Sequence, residues 1–387
     1  MAMNLETRET ILERAAAFAE SRIASRRNLG RMDRFPLDLW GEMASEGLLG
    51  VGYPRDVGGA GADPLTVHLA GETLVRHGHN PGIVLSWLIH QVMGLFFLSR
   101  FGRDDQKAAY LPGMARGALT GSLAISEPDA GARPKDMTTR ARKNGDAYIL
   151  DGEKNFLTNG PLASFFLVFA VTGEQNGRKN FSAFLVPDGT KGARKTGPFF
   201  LSFLRPCPHE GIRLENCRLE GDALFGEENR AWETLSIPFQ TWEDVFLAGL
   251  VSGGTGRLFQ ILLSTLRKRP GGGSGTEVKT FLGSAWSSLE GIRVVSREAA
   301  RKLNVPEEAR GAVTSMVLFA RRNIRRLLKD LDEFVAARGL APGEEWSRLM
   351  KDLVPAIGIA HAVQEKKKEK IGAALLEEEK NDRFRFF

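Results

Sequence analysis

The stretch "LDGEKNFLTNG" (Leu150–Gly160) is the most informative part of this sequence about the fold. Two turn dipeptides, Asp151-Gly152 and Asn159-Gly160, bound a short β-type run. The run carries an aromatic residue, Phe156, two positions before a small hydroxyl residue, Thr158. Ordinary packing of a strand explains this pattern, and so does a flat cofactor that lies against the end of the strand. The sequence on either side of the stretch distinguishes the two explanations.

Length and composition indicate a multidomain protein of the cytoplasm. The 387 residues suffice for two or three packed units, and the 42% apolar content fits a globular chain. Residues 1–27 are amphipathic and charged, unlike a signal peptide. The most apolar short run, Val92–Leu98, is too short to span a bilayer. Two cysteines, Cys207 and Cys217, make no disulfide framework, so we expect a cytoplasmic protein without a membrane partner.

The net charge of +6 comes from the C-terminal part of the chain. From Arg230 onward there are 26 Lys and Arg against 20 Asp and Glu, whereas the preceding residues hold 27 of each. The densest basic runs are "RRNIRRLLK" from Arg321 and "KKKEK" from Lys366. Such runs favour a solvated helix face, with nucleic acid or another anionic partner as the alternative. We do not expect nucleic acid to be a partner.

The predicted elements follow the order helices, strands, helices. Asp63-Pro64 marks a helix start in the first region, and Asn144-Gly145 marks a hairpin turn in the second. Long amphipathic helices fill the third region. This segregation predicts an α+β multidomain fold. It comprises an N-terminal helical domain (1–117), a central β-barrel-like domain (118–228) and a C-terminal four-helix bundle (229–387).

Two patterns predict which side chains share a face. In "GIRLENCRLEG", the residues Ile212, Leu214 and Asn216 alternate with Arg213, Glu215 and Cys217, which is typical of a strand. In the last region, one helical stripe is predicted to contain Phe319, Ile324, Leu327, Leu331 and Val335. The glycine-rich run "RKRPGGGSGTE" predicts a flexible link between two of these helices.

The motifs that are missing exclude several function classes. No G-x-G-x-x-G follows a predicted strand, and neither a P-loop nor a zinc-ligand spacing occurs. "CPHE" (Cys207–Glu210) brings a thiol, an imidazole and a carboxylate together, but no second ligand pair lies at metal spacing. We interpret it as a loop that enters a strand and expect no metal.

Six segments resemble the acyl-CoA dehydrogenase family, in the family's order and at its spacing. The similarity is dense from about Phe35 to Gly226. The quoted segments are "FPLDLWGEMASEGLLG", "GYPRDVGGAGADPL", "FGRDDQKAAYLPGMARGALTGSLAISEPDAGA", "GEKNFLTNG", "SAFLVP" and "RLENCRLEGDALFG". In the family, "GEKNFLTNG" usually has a tryptophan where Phe156 stands.

The resemblance implies FAD as cofactor and gives five residues a role in binding it. Phe156 is expected to cover one side of the isoalloxazine ring, and Thr158 to hydrogen-bond near its reactive nitrogen. Ile125 and Ser126 are expected to meet the pyrimidine edge of the ring and the thioester region of the substrate. Gly131, which lacks a Cβ, is expected to let the chain approach a phosphate.

The resemblance also implies a reaction and its partners. The reaction is α,β-dehydrogenation of an acyl-CoA thioester in fatty-acid or carboxylic-acid degradation, with an electron-transfer flavoprotein as acceptor. A base must remove the weakly acidic α proton while a hydride leaves the β carbon for the flavin. The family usually carries this base, a glutamate, in a glycine-flanked C-terminal tail that "EKIGAALLEEEKNDRFRFF" does not resemble.

A minority of the family carries the base on the first long helix of the C-terminal domain. "TWEDVFLAGLVSGGTG" resembles that helix and predicts Glu243 as the catalytic base, with an ordinary solvated carboxylate as the alternative. The next residue is usually an arginine that supports coenzyme A. Here it is Asp244, whose charge is expected to repel phosphate.

Two further departures concern contacts between subunits. "RKRPGGGSGTE" replaces the family's R-x-x-F-G, and the later Q-x-x-G-G-x-G is missing. In the family these residues reach the flavin of a neighbouring subunit. Four readings stay open. The first is a complete homo-oligomeric dehydrogenase, and the second is a subunit of a hetero-oligomeric dehydrogenase, either completed by a sister chain or itself a flavin-poor or non-catalytic partner. The third is a non-catalytic binding protein of the same fold, and the fourth is another flavin chemistry such as nitroalkane oxidation.

Overall fold

A computed structural model describes residues 7–304, 310–359 and 361–377 of the chain. Helices come first, then strands, then helices again, as predicted. The N-terminal helices are α1 (Arg8–Phe18), α2 (Leu37–Ser45), α3 (Pro64–Gly78), α4 (Pro81–Val92), α5 (Ser99–Phe101) and α6 (Asp104–Ala115). The strands are β1 (Gly121–Ala124), β2 (Arg140–Asn144), β3 (Ala147–Thr158), β4 (Phe165–Gln175), β5 (Arg178–Pro187), β6 (Ala193–Phe199), β7 (His209–Leu219) and β8 (Leu224–Phe225).

The C-terminal region contains long helices that pack side by side. They are α7 (Ile237–Lys268), α8 (Thr276–Arg301), α9 (Arg310–Ala337), α10 (Glu344–Gly358) and α11 (His361–Glu377). The α8 and α9 helices pack on α7, α10 packs on α7 and α9, and α11 packs on α9. The α+β fold with its three successive regions is therefore confirmed, while the domain boundaries at 117/118 and 228/229 stay predictions.

The predicted start of α3 is confirmed in atomic detail. Asp63 is the N-cap residue, and its carboxylate accepts a hydrogen bond from the backbone N–H of Thr66 at 2.8 Å. Pro64 occupies the first helical position, where its missing N–H costs nothing. Asn80 caps α4 in the same way. These caps fix where α3 and α4, two helices that pack on α7, begin.

Two helical stretches, Pro81–Phe101 and Trp232–Lys268, are long and apolar enough to cross a membrane by length and composition. In each, 83% of the most apolar window is buried inside the fold. Contact with other helices and strands therefore accounts for their apolar surfaces. They are core helices of the kind that soluble proteins contain.

The strands form one sheet in the order β6-β7-β3-β2-β4-β5-β8, and β1 pairs in parallel with β4. The predicted hairpin turn is confirmed, because Asn144 pairs with Ala147 between β2 and β3. Apolar side chains on one face of the sheet form a core of their own, whereas those on the other face, such as Phe165 and Leu167, belong to the helical core. The central domain thus holds β3, with its aromatic and hydroxyl residues, between β2 and β7.

The predicted turn at Asp151-Gly152 is wrong. β3 runs straight through it, and the pairing with β7 shifts between Leu150 and Gly152, which is the signature of a β-bulge. Glycine is required because a Cβ there would lie 2.5 Å from the Thr139 hydroxyl. On the facing strand, Asn216 has a φ of 48° and is exposed, whereas the side chain of Cys217 is buried. The bulge reverses the alternation that the sequence pattern predicts.

The predicted stripe on α9 is confirmed except at one position. Ile324, Leu327, Leu331 and Val335 are buried, but Phe319 is 46% exposed. A step of five residues turns about 140° around a helix, so Phe319 lies off the stripe that Ile324 begins.

α3 crosses α7 with unusually close backbone contact. A Cβ at Gly253 would lie 2.3 Å from the carbonyl oxygen of Glu72, and one at Gly249 would lie 2.8 Å from the His68 ring. Larger residues at these points would push α3 away from α7. The orientation of α7, which carries Glu243, therefore depends on these two glycines.

We predict that Gly253→Ala destabilises the protein by about 1–3 kcal/mol, because the added methyl group forces the two backbones apart. Gly291→Ala is the matched control, since Gly291 lies exposed in α8 with no atom within 4 Å of an added Cβ. Alanine there should be neutral or stabilising by up to about 1 kcal/mol. Thermal unfolding of the two variants measures the difference, and an unchanged melting temperature for Gly253→Ala would contradict the prediction.

Candidate active site

A β-bulge near the end of β3 raises Phe156 out of the sheet. The pairing with β7 shifts between Lys154 and Leu157, and Phe156 has a φ of 54°. A bulky residue in this left-handed region is a rare, strained conformation. The Phe156 side chain is also 53% exposed. Strain at an exposed aromatic residue indicates a binding surface more than core packing.

Phe199 of β6 supports the Phe156 ring. The two ring centroids are 4.8 Å apart and the planes are inclined by 31°. A cavity of about 310 Å³ is lined by Phe199, Cys207 and Glu210, but not by Phe156 or Thr158. Phe199 therefore contacts the exposed Phe156 ring and also contributes to the wall of this cavity.

Thr158 lies two residues further along, half-buried, at the last position of β3. Its hydroxyl oxygen is 3.2 Å from Nε2 of His209, which pairs with Thr158 across the β3–β7 ladder. Its carbonyl oxygen accepts a hydrogen bond of 2.7 Å from the Ser122 hydroxyl. Both ends of the residue are therefore held in place.

A buried ion pair holds the loop after β1 against the β3 bulge. The Lys154 ammonium lies 2.9 Å from Oε1 of Glu127 and 2.9 Å from the carbonyl oxygen of Ile125, and both charged side chains are buried. Burial alone would raise the pKa of Glu127, but the Lys154 charge and backbone N–H groups lower it to about 2. The backbone N–H of Asn155 donates to the carbonyl oxygen of Ser126 at 2.9 Å. This brings Ile125 and Ser126 to the same end of the sheet as Phe156.

Gly131 closes the same loop. Its N–H and C=O exchange two hydrogen bonds of 2.9 Å with Glu127. Its φ is 54°, which favours glycine, and an added Cβ would meet no atom of the chain within 4 Å. The backbone at Gly131 is therefore open to close approach from outside.

Glu243 lies on a different element, in the second turn of α7. It is half-buried, and its helix neighbours Phe239, Phe246 and Leu247 are buried apolar residues. Burial, together with the negative charge of Asp244, raises the pKa of Glu243 from 4.5 to about 7. None of the described residues forms an ion pair or a hydrogen bond with its carboxylate. The result is a carboxylate that exchanges a proton near neutral pH.

Asp244, the next residue, has a different environment. Its carboxylate oxygens lie 2.6 Å from Nη1 of Arg321 on α9 and 2.8 Å from Nζ of Lys367 on α11. The sequence predicted that the negative charge of Asp244 would repel phosphate. In the structure, the positive charges of Arg321 and Lys367 compensate it. Positive charge next to Glu243 comes from α9 and α11 instead of from an arginine on α7.

The predicted site residues thus fall into two groups. Ile125, Ser126, Gly131, Phe156 and Thr158 meet at one end of the sheet, whereas Glu243 belongs to the helical bundle. No hydrogen bond or ring contact among the described residues joins Glu243 to the first group.

α4 connects the two groups. At the end of β3, the side-chain amide of Asn159 donates to the carbonyl oxygen of Ser86 in α4 at 2.9 Å, and the Ser86 hydroxyl donates back to the Asn159 side chain. α4 also packs on α7. α4 is therefore the element that sets the position of Glu243 relative to the end of β3.

Several residues that shape the site were not identified from the sequence. Lys154, Glu127 and Ser86 form its internal support, and His209 was considered only as part of a rejected metal site. A weak signal existed for Lys154, since a lysine inside a predicted strand has to be exposed or paired. No local signal pairs it with Glu127 or places His209 beside Thr158.

Other features of the described residues contribute nothing to this site. A larger cavity, of about 760 Å³, is lined by charged residues that include Arg27, Arg348 and Lys351 and by none of the predicted site residues. No group of three or more His, Cys, Asp or Glu side chains in the described ranges could hold a metal ion.

Comparison with known families matches two descriptions. "Acyl-CoA dehydrogenase, N-terminal domain" matches residues 5–118, and "Acyl-CoA dehydrogenase, middle domain" matches residues 122–217. Together they cover more than half of the chain. The matches include the end of β3 and the loop that carries Ser126, but they end before α7.

Among curated proteins, the chain is similar to a 3-(aryl)acrylate reductase from Clostridium sporogenes, with 34% identity over 237 residues. The match covers 60% of this chain and 62% of that relative, so it spans less than two thirds of the relative's length.

Two solved structures share the fold over nearly the whole chain. Butyryl-CoA dehydrogenase from Megasphaera elsdenii superposes with a TM-score of 0.85 at 22% identity, covering 97% of this chain and 100% of that one. A chain in a structure of the electron-transferring flavoprotein of Acidaminococcus fermentans gives a TM-score of 0.85 at 23% identity, covering 97% and 100%. At these identities the likeness concerns the fold.

We predict that Lys154→Met destabilises the protein by about 3–5 kcal/mol, because it leaves the buried Glu127 carboxylate without its partner. Lys143→Met is the matched control, since Lys143 forms an exposed ion pair with Glu228, and its loss should cost at most about 1 kcal/mol. Thermal unfolding compares the two variants. Equal effects would show that the buried pair does not hold the loop.

We predict that Glu243→Gln becomes increasingly stable relative to the native protein as the pH rises from about 4.5 to about 7. Because the folded pKa of Glu243 is raised to about 7, the stability that its proton contributes is fully present below pH 4.5 and is lost as the pH rises through 7. Glutamine stays neutral, so the difference in unfolding free energy should grow by on the order of 1–3 kcal/mol across this window.

Denaturant titrations at several pH values measure this difference. Glu233→Gln is the control, because Glu233 is exposed near the start of the same helical region. A difference for Glu243→Gln that does not change with pH would contradict the assigned environment.

Proposed function

The chain belongs to the acyl-CoA dehydrogenase family, and on that premise we propose that it is an FAD-dependent dehydrogenase of acyl thioesters. FAD would bind at the end of β3, against Phe156 and Thr158, and Glu243 would be the base. The observation that carries the proposal is the environment of Glu243. It is a carboxylate on the first long helix of the C-terminal region, without an ion-pair partner among the described residues and with a pKa of about 7.

The residues at the end of β3 suit a flavin. The exposed Phe156 ring offers a flat apolar surface on one side, and Thr158 offers a half-buried hydroxyl. The open space at Gly131 would let a phosphate approach the backbone. The chemistry that FAD supplies when bound is acceptance of the hydride from the β carbon of the substrate.

The properties of Glu243 suit removal of the α proton. A base works best when its pKa lies near the operating pH, and a thioester α proton is weakly acidic. An unperturbed glutamate would be too weak a base, whereas burial beside Phe246 makes Glu243 stronger. Arg321 and Lys367 form ion pairs with the neighbouring Asp244, whereas the Glu243 carboxylate has no ion-pair partner among the described residues.

The substrate is proposed as an acyl-CoA, with an electron-transfer flavoprotein as electron acceptor, by analogy with the family. The protein is proposed to act in the cytoplasm. Butyryl-CoA and an aryl-substituted acyl-CoA are the first substrates to try, because one similar structure is named a butyryl-CoA dehydrogenase and one relative is named a 3-(aryl)acrylate reductase.

The assembly has two candidate forms, and an observation supports each. In the family, a neighbouring subunit contributes an arginine and a glycine-rich turn to the flavin site, and this sequence lacks both motifs. This favours a hetero-oligomer in which a sister chain completes the site. In the alternative, a homo-oligomer, Arg267 and Lys268 replace the lost contacts. Both are exposed at the end of α7, whereas Arg269 already donates to the carbonyl oxygen of Arg338 at 2.9 Å.

The test is to express this chain alone and to measure bound FAD per chain, oligomer mass and oxidation of butyryl-CoA and 3-phenylpropanoyl-CoA with an artificial electron acceptor. We expect Glu243→Gln to keep its FAD and to lose about 10³-fold in kcat, since a general base contributes about 10²–10⁴-fold. The kcat of the native protein should rise with pH through about 7, because the base must be ionised.

Glu233→Gln is again the control and should retain full activity. A Glu243→Gln variant within threefold of the native rate would reject Glu243 as the base. Colourless protein that stays colourless with FAD and a co-expressed sister subunit would reject the flavin assignment. Full FAD occupancy and turnover by the lone chain would exclude the hetero-oligomer.

A further inference from the structure

The Thr158–His209 contact has a direction that the surrounding hydrogen bonds determine. His209 is 6% exposed, and its two ring nitrogens each have one partner. Nδ1 lies 3.1 Å from the carbonyl oxygen of Cys207, and Nε2 lies 3.2 Å from the Thr158 hydroxyl oxygen. Burial lowers the pKa of His209, so its ring is neutral at physiological pH.

A carbonyl oxygen can only accept a hydrogen bond, so Nδ1 of His209 must carry the proton. In the neutral ring, Nε2 is then an acceptor. The Thr158 hydroxyl must donate its proton to Nε2. What Thr158 still offers to any other group is a lone pair, and not a hydrogen.

We propose that His209 is a positioning residue that fixes the Thr158 hydroxyl as a hydrogen-bond acceptor toward the bound flavin. This inference rests on the proposed function, in which Thr158 lies near the reactive nitrogen of the ring. The register supports it, because Thr158 and His209 are direct partners on β3 and β7. Ser122 holds the Thr158 backbone at the same time, so the end of β3 that carries the hydroxyl is fixed in place.

The consequence concerns which oxidation state of the flavin Thr158 stabilises. The reactive ring nitrogen accepts hydrogen bonds when the ring is oxidised and carries an N–H when it is reduced. A hydroxyl that only accepts can bond to the N–H of the reduced ring but not to the oxidised ring. His209 therefore raises the reduction potential of bound FAD, which favours transfer of the substrate hydride to the flavin.

The first test measures which ring nitrogen of His209 carries the proton, and it does not require bound flavin. Nitrogen NMR shifts of ¹⁵N-histidine-labelled protein distinguish a protonated Nδ1 from a protonated Nε2. The chain has six histidines, and the missing signals in His209→Gln assign His209. We expect protonation at Nδ1. A proton on Nε2 would make His209 the donor and overturn the inference.

The second test is a double-mutant cycle at His209 and Thr158, in which the reduction potential of bound FAD is measured. His209→Leu removes the acceptor and frees the hydroxyl to bond to the oxidised ring. The ratio of reduced to oxidised flavin at a fixed potential should then fall about tenfold, which is about 30 mV for a two-electron couple. His209→Gln, whose amide oxygen can still accept from Thr158, should stay close to the native potential. In a Thr158→Val background, His209→Leu should have no further effect.

His77→Leu is the control, because His77 pairs with Glu20 in the N-terminal domain, remote from β3 in the fold. The inference would be overturned if His209→Leu did not change the reduction potential of bound FAD. It would also be overturned if His209→Leu changed this potential equally in the Thr158→Val background, where the hydroxyl is absent. Either result leaves the proposed function intact. Loss of FAD from every form of the protein would instead reject the proposed function, and this inference with it.

Discussion

The buried ion pair between Lys154 and Glu127 is the interaction on which the candidate site depends. Two opposite charges are removed from water inside a β domain, and such burial is tolerated only when every charge is matched. Lys154 also bonds to the carbonyl oxygen of Ile125, and Glu127 exchanges hydrogen bonds with Gly131. The loop cannot move away from β3 without exposing or orphaning a charge. The position of Ser126 relative to Phe156 follows from this constraint.

Two adjacent carboxylates in α7 show how environment separates chemical roles. Asp244 is held by Arg321 and Lys367, while the apolar neighbours of Glu243 and the charge of Asp244 raise its pKa to about 7. Asp244 joins α7 to α9 and α11 through its ion pairs, and Glu243 can exchange a proton. This is the general means by which proteins give two similar groups different functions. The helix alone does not create the difference, because the cations belong to α9 and α11.

Much of the fold followed from local patterns, and the errors have physical causes. The capping of α3 by Asp63 and the hairpin at Asn144-Gly145 depend on neighbouring residues in the chain, so the sequence predicted them correctly. The turn predicted at Asp151-Gly152 is instead a bulge inside β3, which continues through these two residues. Pairing with β7 overrides the local preference there. The site residues grouped around Phe156 stay predictions, although the structure brings them to one end of the sheet.

By itself, the sequence determined the order of helices and strands, the family to which the chain belongs and the residue types available for chemistry. These properties are carried by segments whose residues lie close together in the chain. Only the tertiary structure decided which groups meet. Arg321 reaches Asp244 across 77 positions, and His209 reaches Thr158 across 51. The pKa of Glu243 and the direction of the Thr158 hydrogen bond arise from these contacts, because electrostatic and hydrogen-bond energies depend on distance in space, which local sequence patterns do not encode.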